Sequence, residues 1–443
     1  MSPSHRFSAL FAKEWYELTV SRAFWLLLLM IGPLVGHGFI TAVETYAEAS
    51  GIAGGPAALS QGLSPLDGIL VPTFGAYDLA VTLLFPFIAI RLIAAEKSNG
   101  AWTLMLQAPV GMPAMLLAKA LALLAAWALV WAPGVLSLAL WKFYGGALHS
   151  PETLNLLLGY LLRALLASGV AVAAAAIASH AATAAIAALG FTVGTWALEF
   201  VAAGRGGLLA RLASYTPTSA LKVFEQGQLR LNTLAVVLLL ALAGFTLAAV
   251  WLAGYRTLRA KLAGSLIAAA VTAALVCGAA MLRPAWDLSE NRRNSLPYAD
   301  EQALRQIRQP LRVTVYLAPE DPRLLDLNRE VLSKLDRVLP RVEIEYAARS
   351  RSGLFEGPAD HYGEVWYELG GRKTMSRSAT AEVVLDTLYQ AAGIAPPSRT
   401  AETAYAGHPL AAEPRAAAWV FYLLWPLVVA MAGWLHFRYR SRG

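Results

Sequence analysis

The stretch that decides the reading is "GSLIAAAVTAALVCGAAMLRPAWDLSENRRNSLPYADEQALRQI", residues 264–307. Residues 264–282 are apolar enough to cross a bilayer, because a spanning helix takes about 20 mostly apolar residues. At Arg283 the chain turns polar without a linker, and it stays polar for more than a hundred residues. It becomes apolar again at "AAAWVFYLLWPLVVAMAGWLHF", just before the end. A membrane-crossing chain that stops crossing, builds a polar module and crosses once more needs a reason for the interruption.

Composition supports the membrane reading. The chain has 443 residues, 57% hydrophobic and only 15% charged. Its mean hydropathy is +0.51. A soluble domain carries roughly 25% charge. The deficit fits a helical polytopic protein, since a charge at the bilayer centre costs a few kcal/mol. The net charge of +7 then reads as basic loops and tails at the membrane surface, not as a nucleic-acid surface. One cysteine, Cys277, lies in an apolar run. It excludes an internal disulfide and a multi-cysteine zinc site. The N-terminus does not read as a cleaved signal, because a polar amphipathic stretch precedes the first apolar run.

About eight spans are predicted, near residues 23–43, 77–95, 114–140, 154–178, 182–202, 231–253, 264–282 and 417–437. Arg6, Lys13 and Arg22, then Arg91 and Lys97, then Arg256, Arg259 and Lys261, then Arg438, Arg440 and Arg442 all fall on one side of an eight-span chain. That side is predicted to be the cytoplasm, with both termini there. Residues 44–71 lack Lys and Arg and fall on the other side. The loop 203–230 disagrees: it falls outside yet carries Arg205, Arg211, Lys222 and Arg230. A folded re-entrant or interfacial element there is one way to reconcile it.

The polar module, residues 283–414, is predicted to be α/β. "RVTVYL" and "RVEIEYA" alternate like strands. Between them, "DPRLLDLNREVLSKLDRVL" has helical spacing, with Asp321 as N-cap and Pro322 at N1. Strand, helix, strand predicts a βαβ unit. "GEVWYELGGRKTMSRS" predicts a hairpin turning at a Gly-Gly pair, and "ATAEVVLDTLYQAAG" a helix stopped by Gly393.

Catalytic signatures do not appear in the sequence. There is no P-loop run, no H-E-x-x-H and no G-x-S-x-G. His37 and His180 read as packed residues, since a metal site needs several converging ligands. No catalytic residue, metal ligand or bound cofactor is predicted. Three ionisable residues fall in spans and count as functional candidates by that fact. Asp78 is placed at the start of the second span and Glu199 near the outer end of the fifth, where interfacial or structural pairing is the simpler reading. Arg163 is placed deeper, where a buried ion pair is equally plausible. The stretch "RLIAAEKSNGAWTLMLQAPVGMPAMLLAKAL" ends a span, breaks at Gly100 and continues as a short amphipathic helix. That helix could lie on lipid or dock into a soluble partner.

This last stretch resembles the permease subunits of ABC-2 type transporters, whose second span ends in a pattern like R-x-x-A-E-E-[KR]-x-x-G-[TS]-x-[ED]-L-x-L-x-x-P-[VI]. Arg91, Ala94, Glu96, Lys97, Gly100, Leu104, Leu106, Pro109 and Val110 match it, while Ala95, Ala101 and Thr103 depart. The resemblance implies that Glu96, Lys97, Gly100, Leu104 and Pro109 contact an ATPase subunit. "ALFAKEWYELTVSRAFWLLLL" is similar to the family's amphipathic elbow helix. "YTPTSALKVFEQGQLRLNTLAVV" is similar to its outer gate element, with Ser219, Phe224 and Gly227 matching and Thr216 a conservative replacement. Ala220 stands where the family carries a histidine, so no role of that histidine is implied here.

The polar junction resembles the start of the auxiliary module of GldG-like, gliding-motility-type ABC transporter proteins. Asp287, Leu288, Ser289, Ser295, Leu296, Leu304, Ile307, Pro310, Leu311, Val313, Val315 and Tyr316 fit that pattern in order; Asn294, Pro297 and Asp300 depart. Together the two resemblances imply an organisation. Residues 1–22 form a cytoplasmic elbow helix. Residues 23–263 form a permease core of about six spans, with a coupling helix near 96–110. Residues 264–282 form a seventh span, 283–414 a periplasmic GldG-like α/β domain, 417–437 an eighth span and 438–443 a basic tail. They imply a transmembrane permease subunit in a bacterial inner membrane, exporting or transmitting force. ATP and magnesium are expected on a partner ATPase, in two copies, with a homodimer of permeases and a periplasmic partner for 283–414. The alternatives are a membrane-anchored scaffold working through its outer domain without transport, and an intramembrane enzyme using Arg163 or His180.

Overall fold

The structure is a computed structural model. It describes residues 3–53, 64–108, 110–202, 208–318, 321–347, 361–397, 405 and 407–440. The chain divides into two compact units. One comprises Met1–Gly194, Leu231–Leu282 and Ala406–Gly443; the other comprises Thr195–Arg230 and Arg283–Tyr405.

Among the described residues, eight helices are long and apolar enough to cross a membrane: Arg22–Gly51, Leu66–Ser98, Met112–Phe143, Ser150–Ile177, Ala181–Ala202, Leu231–Leu252, Leu258–Ala280 and Arg415–Arg438. The chain therefore has the make-up of a helical polytopic membrane protein. The number agrees with the sequence reading; several boundaries shift by a few residues, the seventh span starting at Leu258 and not 264, and two move further. The first helix runs on to Ala53, because "ETYAEAS" is polar yet helix-forming. The second begins at Leu66 instead of residue 77, so Asp78 lies well inside it and not at its start. Its run is interrupted at Leu84, next to Pro86, whose ring cannot continue the hydrogen-bond ladder.

Small residues set the closest helix contacts, as they do in membranes. A Cβ on Gly169 would lie 2.5 Å from the Ala241 carbonyl oxygen, and one on Gly244 would lie 2.4 Å from the Gly169 carbonyl carbon. The fourth and sixth spans thus cross backbone to backbone. Gly32 and Gly36 of the first span receive Trp425 and Phe421 of the last in the same way. The Trp425 indole N–H also donates to the Leu28 carbonyl at 2.8 Å. The elbow helix, Pro3–Val20, is a separate element that ends before Ser21.

The second unit carries a four-stranded mixed sheet in the order β4-β3-β5-β6. Strands β3 (Leu311–Val315) and β4 (Val342–Tyr346) are parallel, joined by the helical segment 322–338. This is the predicted βαβ unit. Strand β5 (Val365–Leu369) runs antiparallel to β3 and turns into β6 (Arg372–Ser376). The turn is Gly370–Gly371, with φ of +57° and +84°, a conformation glycine adopts without a Cβ penalty. Leu311, Val313, Val315, Tyr367 and Leu369 point to one face and pack on Leu327, Leu332, Leu335, Leu385 and Leu388. Gly393 closes the helix Ala381–Ala392 at φ +69°.

A further pair, β1 (Gln228–Arg230) and β2 (Ala285–Asp287), is antiparallel. It ties the end of the basic loop to the polar junction. Where it is described, the loop is folded, with helices Leu208–Ala213 and Pro217–Glu225. Arg205 of that loop lies outside the described residues.

Candidate functional site

The richest polar constellation of the first unit lies where the second run of helix ends. Lys13 and Glu14 come from the elbow helix, Glu96 from the last turn of Leu66–Ser98, and Lys119 from the second turn of Met112–Val130. The Lys119 ammonium is 2.7 Å from Glu14 and 2.8 Å from Glu96. The first contact is an aligned hydrogen bond. The second is an ion pair by distance, off the hydrogen-bond direction. Lys13 pairs with Glu96, and with Glu14 and Glu17 at 3.0 Å each. Lys119, Glu14 and Glu96 are 0%, 1% and 2% exposed. Burial of charge at this depth requires pairing.

Burial works against the Lys13 ammonium, but its bonds to Glu96 and Glu14 outweigh that and hold its pKa above the ordinary lysine value. Burial pushes the Glu14 carboxyl up; Lys119 pulls it back, and the nearby Glu96 charge adds to the rise. Glu14, Glu17 and Glu96 bring carboxylate oxygens within 4.8 Å of one another. The two lysine ammoniums sit on those oxygens, so the arrangement reads as internal ion pairing and not as a metal cage.

This node aims the segment that follows. Asn99 Oδ1 accepts the Ala101 N–H at 3.0 Å, and Gly100 takes φ +77°. The chain re-enters a short helix, Ala101–Met105. Its buried residue, Trp102, donates its indole N–H to the Leu252 carbonyl at 3.0 Å, and its ring centre lies 6.0 Å from the Lys119 ammonium. Lys97 reaches the carbonyls of Ala175, Ala176 and Ala178 at 3.0, 3.1 and 2.6 Å. A cation there satisfies the open carbonyls of a helix C-terminus. One short segment therefore binds the ends of the second, fourth and sixth spans and the start of the third. Outward it presents Asn99, Gly100, Thr103, Leu104, Gln107 and Ala108, with Leu104 69% exposed.

Of the residues singled out by resemblance, Gly100 and Leu104 are on that exposed face. Glu96 and Lys97 are turned into the chain and hold the face in place. Pro109 lies outside the described residues. Lys119, Glu14 and Trp102 were not singled out by sequence. The signal that could have found them was present for Lys119, a charge inside an apolar run.

Arg163 and Asp78 form the intramembrane pair. The Arg163 Nε donates to Asp78 at 2.8 Å and its Nη2 to the Thr82 hydroxyl at 3.0 Å. Arg163 is 7% exposed. Its partners lie on the facing helix, so the pair fixes register between the second and fourth spans.

In the second unit, Glu199 accepts a hydrogen bond from the Thr216 hydroxyl. The Thr216 oxygen also accepts the Ser219 N–H, capping Pro217–Glu225, while Phe224 is 1% exposed in the fold. Gly227, at φ +75°, packs against Ser289 with room only for hydrogen: a Cβ would lie 3.0 Å from Ser289 Cβ. The junction itself is organised on Asp287. Its carboxylate accepts the N–H and hydroxyl of Ser289, the N–H and side-chain amide of Asn294, and the hydroxyl of Ser295. The Asn294 amide also donates to the Gln226 carbonyl at 2.6 Å. The spacing of Asp287, Ser289, Asn294 and Ser295 is thus the spacing of one closed ring around a carboxylate. No family model, curated protein or solved structure matches this chain.

Proposed function

We propose that this chain is the membrane-embedded permease subunit of a bacterial ABC transporter of the ABC-2 type, with ATP bound and hydrolysed by a separate subunit. The observation that carries the reading is the segment 96–108. Its charges, the buried Glu96 and the half-buried Lys97, are spent on the chain's own helices, while Gly100, Thr103, Leu104 and Gln107 are left exposed. A short helix fixed to four spans and bare on its outer side has the form of a lever end. Motion imposed on it by a partner is passed directly to those spans.

In this reading the node faces the cytoplasm, and residues 283–414 lie on the periplasmic side as a GldG-like α/β module. Export or force transmission is the proposed direction, with two permeases and two ATPases. The chain itself carries no catalytic step. The experiment is co-purification of the tagged chain from its native cell with any ABC ATPase, identified by mass spectrometry, followed by ATP hydrolysis in nanodiscs. Glu96→Lys and Gly100→Pro are expected to abolish complex formation or stimulated hydrolysis. Intact assembly and intact hydrolysis in both variants would defeat the proposal.

A further inference from the structure

The sequence pattern around the second span includes Arg91, and the docking reading gives it no task. Its guanidinium has no hydrogen-bond or ion-pair partner among the described residues. Two turns before the helix end, an unpaired cation at membrane level needs an anion or water. Ile88, Arg91, Leu92, Ala95, Glu96 and Asn99 fall at i, i+3 and i+4 spacing and share one helix face. That face and the end of the elbow helix, Tyr16–Ser21, enclose a cleft of about 260 Å³. It is small beside the roughly 300–1,000 Å³ of drug-sized pockets. It suits a headgroup and not a whole amphiphile.

The level of the cleft follows from chain order. The elbow helix leads into the first span at Arg22, and the second span ends at Ser98. Two consecutive antiparallel spans put these two ends on the same membrane surface. The cleft is therefore at a headgroup depth. Its chemistry is graded along the helix. Ile88 lies deepest, Arg91 and Leu92 come one turn nearer the helix end and Asn99 lies at it, while Leu18 and Val20 supply an apolar wall from the elbow helix. The lining carries one cation, Arg91, and two carboxylates, Glu17 and Glu96; both carboxylates are already paired with Lys13, which leaves Arg91 as the lining charge without an internal counter-ion among the described residues.

We propose that this cleft is a discrete binding site for a phospholipid, with its phosphate on Arg91 and the first part of its acyl chains on Ile88 and Leu92. The site stands independently of the docking reading, because it needs no second protein. A basic residue that merely snorkels meets whatever lipid passes; a residue set in a walled cleft retains one.

The full chain, purified alone in detergent and stripped of lipid, is titrated with phosphatidylethanolamine and weighed by native mass spectrometry. The expected result is one retained lipid per chain. Arg91→Gln is expected to lower occupancy at least fivefold, and Arg91→Lys to keep most of it. Ala95→Trp, which fills the cleft without touching the charge, is expected to lower occupancy as far as Arg91→Gln. Should Arg91→Gln fail to fold, Ala95→Trp against wild type decides. Diacylglycerol, which lacks the phosphate, and inorganic phosphate, which lacks the tails, are each expected to be retained at least tenfold more weakly. Wild-type occupancy in both Arg91→Gln and Ala95→Trp overturns the proposal. So does equal retention of diacylglycerol, which makes this a tail site, or of free phosphate, which makes it an anion site.

Discussion

Glu96 and Lys119 lie 2.8 Å apart and are almost wholly shielded from water. Removing one partner of a buried pair costs about 3–5 kcal/mol, because the other is left charged and unpaired. Lys119→Met leaves the buried Glu14 and Glu96 to share the partly exposed Lys13 as their one remaining cation among the described residues, so a fall in the unfolding midpoint in detergent is expected. The double variant Lys119→Met, Glu14→Gln should recover part of it. Burial holds the Glu14 carboxyl above its ordinary range. A raised acid contributes stability on the acid side and loses it as pH rises through the folded value. The defect of Lys119→Met should therefore be smaller in mild acid than in alkali.

Gly100 and Leu104 separate fold from docking. At φ +77° a side chain costs roughly 1–2 kcal/mol, so Gly100→Ala should lower stability and tilt the short helix as well. Leu104→Asp alters only an exposed position, where stability changes stay within about 0.5 kcal/mol. On the proposed function it nevertheless weakens co-purification with the ATPase. Unchanged co-purification with unchanged stability would remove Leu104 from the docking surface.

The crossing of Gly169 and Gly244 leaves no room for a methyl group. Gly169→Val should cost at least the roughly 1–3 kcal/mol of an overpacked core. Gly190→Val in the fifth span, where a Cβ meets nothing within 4 Å, is the matched control and should cost far less. Thermal unfolding in one detergent compares the two.

Arg163 and Asp78 should be energetically coupled. Arg163→Met and Asp78→Asn, singly and together, form a double-mutant cycle. Contacting charged residues typically show an interaction energy of about 0.5–3 kcal/mol. A value near zero would mean that the pair does not fix register between its helices.

In the α/β unit, the Arg323 guanidinium and backbone N–H bond the Asp321 carboxylate and the Tyr362 hydroxyl adds a fourth donor, holding Asp321 at about 2 instead of its ordinary 3.8. A depressed acid contributes stability above its unfolded pKa and loses it as pH falls through the folded one. Asp321→Asn should thus lower the unfolding midpoint at neutral pH. The gap to wild type should close between about pH 4 and about pH 2.

The apolar runs were legible because span length is a property of local composition. The α/β unit was legible because its two periodicities, 2 and 3.6, alternate cleanly between Leu311 and Ala392. What was hidden depended on partners far apart in sequence. Asp78 reads as an interfacial charge until the helix is seen to begin at Leu66 and Arg163 to face it. Glu96 reads as an exposed contact until Lys119 and Lys13 are seen to bury it. Asn294 reads as a departure from a motif until its amide is found on Asp287 and Gln226. The abrupt change at Arg283 was legible as a boundary. Its reason was not, because β2 finds its partner β1 more than fifty residues earlier.

The glycine face of the first span has a consequence for how the protein is made. Trp425 and Phe421, which fill it, are translated long after the glycines they cover. At roughly 5–20 residues per second the vacancy lasts tens of seconds. Throughout that interval the glycine face of the nascent first span lacks its final covering. Arrival of the Arg415–Arg438 helix closes it, so the packing of the first span is finished only by residues made nearly four hundred positions later.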